Sequence, residues 1–478
     1  MINIIKFLDE NIKESLGCTE PAAIALAVSA AFNAIKGRLP MDYLKKKLDL
    51  APQKIAEEIK NITVKTDRGV FKNALQVSIA YGLKGINNAA ALGVLGDPSK
   101  NLAIFDDLNE EKVLEAANLI KQRKVSVIPN YDWGELRIEA EVSTRDGTGI
   151  ACILKEHSNI ALIKVNGEIK FDKLKTEFES DKLAAMQRLS DFVKIIEHGL
   201  LNESNGRGAE ARIEDAVRTN HKASLIAESR FTELNKKSLG LAIKNVLKEA
   251  YAGSDYINLA REKVSLTVEG RMTGFNIRVM TCAGSGNMGI VVTLPFIAMA
   301  MSKFVKKYPE SNIKWNSAIS VMREVTPNDW KKLLRGVGLA HLIANYVSLY
   351  SGKLSASCGC GTKAAVGLAA GAAYYLAPVN DRDRLDIIGQ AINGVARSIV
   401  GMVCDGGKDG CALKTAVATG VAMESALLAF RGLGLSSADG IANKDAMITL
   451  QRIGRISQAM EGVDKEIIES IRHQLSGN

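Results

Sequence analysis

Residues 135–144, ELRIEAEVST, alternate apolar and polar side chains without a break, and residues 159–171, NIALIKVNGEIKF, largely repeat the pattern around an Asn-Gly turn. A period of two sends successive side chains to opposite faces, so each stretch predicts a strand with one buried face. Gly, Asn and Asp fall at the turns between Lys124 and Phe171, which predicts a small antiparallel sheet. Two further short strands are expected upstream, in NITVKTD (61–67) and NALQVSIA (73–80).

Outward from the sheet the period changes. Ile4, Ile5, Leu8, Ile12 and Leu16 keep helical spacing, so residues 3–36 predict two helices broken at LGCTEPAA, with Pro21 in the first turn of the second. From about residue 173 the pattern is helical again, and LLNESNGRGAEARIEDAV (200–217) predicts a linker or exposed turn. KVSLTVEG (263–270) is one more strand candidate, after which Ala-rich helices alternate with Gly-rich loops. The expected class is α+β: an α/β lobe over residues 1–172 and a helical lobe over 173–478.

The composition excludes several functions. With 478 residues, 47% hydrophobic and 24% charged, the chain can bury a large core. Aromatics are only 5%, which suits closely packed helices better than a β-sandwich. The net charge of +9 comes from scattered lysines, and no basic run with interleaved aromatics suggests nucleic acid. A small anionic substrate is compatible with that charge. The uncharged stretch from Val279 to Ser302 begins with polar, Gly-rich sequence and leaves about a dozen apolar residues, short of the ~20 a spanning helix needs. It and AAVGLAAGAAYYLAPV (364–379) predict buried helices. Seven cysteines without a secretory leader predict reduced thiols and a cytoplasmic location.

Five of the seven lie in the helical half, all in Gly-rich turns that lead into apolar helices. Cys282 opens TCAGSGNMGIVV, Cys358 and Cys360 sit in SASCGCGTKAA, and Cys404 and Cys411 sit in GMVCDGGKDGCALK (401–414). Such turns aim backbone N–H groups and a positive helix end at a bound anion or thiolate. Cys152, in a strand pattern, fits a core residue. Paired thiols among glycines have little to pack against, which points to a metal. Zinc stays open, because Cys-x-Cys with Cys-x6-Cys supplies four thiolates, although zinc knuckles favour closer spacing. An iron–sulfur cluster accepts widely separated ligands.

GCTEPAA (17–23), KNALQVSI (72–79), RMTG (271–274), AGSGNMGI (283–290), LSASCGCGTKAA (354–365) and GMVCDGGKDGCALK occur in the order of the L-cysteine desulfidases. The chain resembles that family, and through it the iron–sulfur L-serine dehydratases, from Gly17 to about Gly462. The resemblance implies a 4Fe–4S cluster and pyridoxal-free β-elimination of L-cysteine to sulfide, ammonia and pyruvate. It implies Cys404 and Cys411 as ligands, with Cys360 the preferred third, Cys358 the fallback and Cys282 a remoter one. An L-serine or L-threonine dehydratase, or a non-catalytic zinc or cluster protein, are the alternatives. A homodimer is compatible with this reading.

Cys18 is the expected catalytic residue. By resemblance it matches the desulfidases' catalytic cysteine, and its flanks Gly17, Thr19, Glu20 and Pro21 suggest an activated thiolate at a helix N-terminus. Dehydratases carry a Ser/His-rich motif in that region and this chain does not, which tilts the substrate toward cysteine. Thr19, Arg271, Ser285, Gly286 and Asn287 are the expected substrate-binding residues. The Gly-rich loop offers N–H groups to a carboxylate, and Arg271 either grips that carboxylate or closes an internal salt bridge. Met288 stands where the family pattern suggests a polar residue. His157, in KEHSNIAL, is expected as a turn histidine, with a substrate or allosteric contact as the minor reading. Asp405 and Lys408 fit turn chemistry or support of the metal site.

Overall fold

The alternating stretches pair as their period demands. Arg137–Thr144, Thr148–Leu154, Ile160–Val165 and Glu168–Asp172 form a consecutive antiparallel meander. Ile138, Ala140 and Val142 are fully buried while Glu141 between them is exposed. Ile59–Asp67 joins antiparallel to Arg137–Thr144, and on its other edge runs parallel to Val125–Asn130. The six-stranded sheet is therefore mixed, where an antiparallel one was expected. The chain between residues 67 and 125 passes through helices Ile86–Gly93 and Glu110–Lys121, long enough for a parallel return. This computed structural model describes residues 2–45, 51–200, 208–234, 238–243, 256–378, 381–434 and 440–475.

The helix Thr19–Ile35 lies across the sheet, and every residue from Thr19 to Ala34 is buried. Gly149 permits the approach, since a Cβ there would stand 2.1 Å from the Ala31 carbonyl oxygen. The helical half packs with similar closeness, as the Ala and Gly content implied. Helices Pro327–Ser351 and Lys363–Leu376 meet where a Cβ on Gly371 would stand 2.2 Å from the Gly336 carbonyl oxygen. Two apolar cores result. One joins the sheet to Thr19–Ile35, and the other gathers the helices after residue 183 with the first helix, Ile4–Asn11. The architecture is α+β.

Two expected strands do not form. NALQVSIA starts in the last two residues of the helix Arg68–Ala74, whose N-cap Asp67 accepts from the Gly69 and Val70 amides at 2.8 and 3.1 Å. That cap fixes the helix start and leaves the apolar tail irregular. KVSLTVEG lies inside the helix Tyr256–Met272, where every residue from Glu262 to Met272 is buried. Burial on all sides overrides the β-propensity of its valines and threonine. At the N-terminus the two expected helices appear as Ile4–Asn11 and Thr19–Ile35. The break between them holds an extra strand, Glu14–Leu16, paired with Arg278–Met280. Of the expected linker, 201–207 lie outside the described residues, and the helix Ala209–Glu233 takes up the rest.

Two stretches, Gly286–Lys307 and Cys411–Phe430, are long and apolar enough to cross a membrane by length and composition alone. The first turns at Thr293, ahead of Pro295, and 83% of its most apolar window is buried inside the fold. The second packs against Tyr256–Met272 and Lys363–Leu376.

Candidate active site

Three long helices begin at one cavity. Cys18 is the N-cap of Thr19–Ile35, Thr362 that of Lys363–Leu376, and Gly410 that of Cys411–Phe430. Their positive ends converge on a space of about 70 Å³. Its walls include Cys18, Thr19, Arg271, Ser285, Gly286, Asn287, Cys360, Cys404 and Cys411, so all nine expected site residues meet there.

The thiol side is built from two crossing loops. The Cys358 amide donates to the Met402 carbonyl and the Cys404 amide to the Ala356 carbonyl, both at 2.7 Å. This clip sets the Cys358 thiol within hydrogen-bonding reach of both the Cys360 and Cys404 thiols. The Cys360 bond raises the Cys358 thiol above its ordinary range, and the Cys358 bond does the same to Cys404. Burial pushes Cys411 up to about 11. Cys358 thus joins the three expected ligands. Cys282 does not, because it is fully buried in the helical core and away from the cavity walls. Among the described residues, no three His, Cys, Asp or Glu side chains form a group able to hold a single metal ion.

Gly406 and Gly407 serve a contact their sequence did not reveal. A Cβ on either would meet the carbonyl oxygens of Lys72 and Asn73, at 2.9 and 3.0 Å. The cysteine loop therefore rests on the end of helix Arg68–Ala74. Asp405 pairs with Lys408 at 2.5 Å and also with Lys414, which ties the loop to itself.

The opposite wall is polar. Arg271, 1% exposed, donates to Asn287 Oδ1 and to the Gly17 carbonyl, so its guanidinium bridges two expected motifs, with no ion pair among the described residues. Its Nε has no partner among the described residues. Ser285 caps the short helix Gly286–Val291 through Met288 N at 3.3 Å and stands 3.9 Å from Cys360 Sγ. Met288 lines the same wall.

Cys18 differs from expectation. It holds its N-cap place, but burial first, and the Glu20 charge second, raise the thiol well above its ordinary value. The site holds a thiol rather than an activated thiolate, because Glu20 accepts its hydrogen bond at 2.8 Å. Glu20 also accepts from Thr19 at 3.1 Å and Asn73 at 2.9 Å, and Cys404 Sγ lies 3.5 Å from Asn73 Oδ1. Glu20 and Asn73 stood inside quoted motifs, but only the tertiary fold joins them.

Lys363, one turn beyond Cys360, is fully buried and donates to the carbonyls of Gly352 and Lys353 at 2.6 and 3.2 Å. Burial lowers it to about 7. His157 is in a turn, as expected, but is 2% exposed. Its Nδ1 lies 2.7 Å from where a Cβ on Gly284 would stand.

The serine dehydratase alpha chain family matches residues 99–469, and the chain belongs to that family. A UPF0597 protein of Desulfatibacillum aliphaticivorans is 30% identical over 471 residues, 97% of this chain and 96% of its own. One from Clostridium tetani is 29% identical over 469 residues, 98% of this chain and 97% of its own. No solved structure matches.

Proposed function

We propose that this chain is an iron–sulfur β-elimination lyase that cleaves L-cysteine to sulfide, ammonia and pyruvate in the cytoplasm. Membership of the serine dehydratase alpha chain family supports a lyase of dehydratase type. The observation that carries the reading is one cavity with thiols on one wall and a buried arginine and catalytic-side cysteine on the other. The donor set suits a cluster rather than a single ion, since Cys358, Cys360, Cys404 and Cys411 line the cavity without closing round one point. Cys360, Cys404 and Cys411 would hold a 4Fe–4S cluster. When bound, that cluster supplies an open iron as a Lewis acid for the substrate's polar groups.

The chain's own residues supply the rest. Arg271 neutralises the substrate carboxylate through its free Nε edge, while Ser285, Asn287 and the Gly286 backbone orient it beside Thr19. Cys18 acts at the departing β-substituent, and loss of the α-proton with that group leaves an enamine that water hydrolyses. Seven free thiols suit a reducing compartment.

L-serine or L-threonine is the second substrate reading, and the family's name supports serine. Protein purified without air should contain iron and acid-labile sulfide, and should release sulfide and pyruvate from L-cysteine faster than pyruvate from L-serine. Stoichiometric zinc with no turnover would overturn the lyase. Cys404→Ser and Cys411→Ser should each lose most bound iron while keeping the circular dichroism of the parent.

A further inference from the structure

Glu20 is 6% exposed, on the wall of the cavity, and all three of its side-chain partners are donors. Cys18 and Thr19 donate to Oε2, Asn73 donates to Oε1, and no second side chain donates to Oε1 among the described residues. A carboxyl surrounded by donors is an ionised acceptor with a lone pair to spare. A cysteine that donates to it is a thiol, with its proton in place. Two groups thus stand side by side in opposite protonation states, and the one free to accept a proton is the carboxylate.

We propose that Glu20 is the base that removes the substrate α-proton and that Cys18 is the acid that protonates the departing group. The proposal rests on the elimination reading above and assigns its proton transfers. The Cα–H bond breaks and its proton bonds to Glu20. The electron pair left on Cα forms the Cα=Cβ bond, and the Cβ–substituent bond breaks with its pair going to the leaving group. That group takes the Cys18 thiol proton. Glu20 then returns a proton to the Cys18 sulfur along the hydrogen bond they share, and both residues are restored.

The electrostatics agree. Burial alone would raise the Glu20 carboxyl, yet it lies below its usual value because of His157 and the bonds from Cys18 and Asn73. The bonds from Cys18 and Asn73 add to the pull of the neighbouring His157 in keeping Glu20 ionised. Asn73 is then a positioning residue: it orients Glu20 on one side and meets the Cys404 thiol on the other.

L-Alanine has no β-leaving group, so its Cα exchange in D2O reads deprotonation alone. With anaerobically reconstituted full-length protein, Glu20→Gln should slow that exchange more than a hundredfold, and Cys18→Ala less than tenfold. Iron content and circular dichroism should match the parent in both. If the parent makes pyruvate from L-cysteine or L-serine while Glu20→Gln exchanges L-alanine at the parent rate, this proposal fails alone. If the parent neither makes pyruvate nor exchanges L-alanine, the elimination reading fails with it. A second measurement needs no turnover. In the metal-free chain at about pH 8, Glu20→Gln should speed alkylation of Cys18 by iodoacetamide at least tenfold, read by peptide mass. Equal rates would overturn the pairing of carboxylate with thiol.

Discussion

The Arg271 guanidinium occupies the space that a side chain on Gly286 would need. A Cβ there would lie 2.4 to 2.8 Å from three of its atoms. The guanidinium cannot yield easily, because Asn287 and the Gly17 carbonyl hold it from either side. Gly286→Ala should therefore displace the charge while leaving the thiol wall untouched. The expected result is a rise in KM of at least tenfold with iron content unchanged, checked by steady-state kinetics and metal analysis. Gly286 was legible in the sequence as part of a Gly-rich loop, but its role as a seat for an arginine fifteen residues earlier was not.

Asp67 shows a helix start that carries a titration. Burial outweighs the bonds from the Arg137, Val70 and Gly69 amides and sets its carboxyl at about 6, above the usual 3.8. Between those values the folded chain keeps a proton that the unfolded chain has released. The stabilising contribution is full below about pH 4 and is lost as pH rises through about 6. For a group this buried the loss is about 3 kcal/mol. Asp67→Asn keeps an acceptor for the helix and removes the titration, so its unfolding free energy should fall less between about pH 4 and 7. Urea melts across that range would read the difference. The cap explains why NALQVSIA is not a strand, and nothing in that octapeptide itself signals the cap.

The C-terminal helix Val463–Leu475 locks the two halves of the chain together. Its Asp464 forms an ion pair with Lys72, both side chains almost fully buried, and Arg68 adds contacts at 3.6 Å to Asp464 and 2.5 Å to Glu461. Lys72 and Asn73 lie in the last turn of the helix on which the Cys404–Cys411 loop rests, so this pair braces the candidate site from behind. Removing one partner of a buried pair strands the other charge, at a cost of about 3–5 kcal/mol. Asp464→Ala should lower unfolding stability by about that much, measured by chemical denaturation, and should loosen iron retention. Asp464→Asn should cost less, since the amide still accepts from Lys72.

Local pattern alone was enough for the meander, the Ala-rich helices and the Gly-rich cysteine turns. A period of two, small residues at helix contacts and glycine next to cysteine are each properties of a few neighbouring residues. The nine residues that share one cavity were named with the help of the family resemblance, which supplied Cys18 and the Cys360, Cys404 and Cys411 set. The parallel edge of the sheet, the helical course of KVSLTVEG and the protonation of Cys18 needed the folded chain. Each depends on what a distant segment brings near: a crossover that returns beside Ile59–Asp67, neighbours that bury Glu262–Met272 on every side, and a Glu20 carboxylate steadied by Asn73. Proton location in a buried site follows the summed field and donors around it, and those are set by packing across the whole molecule.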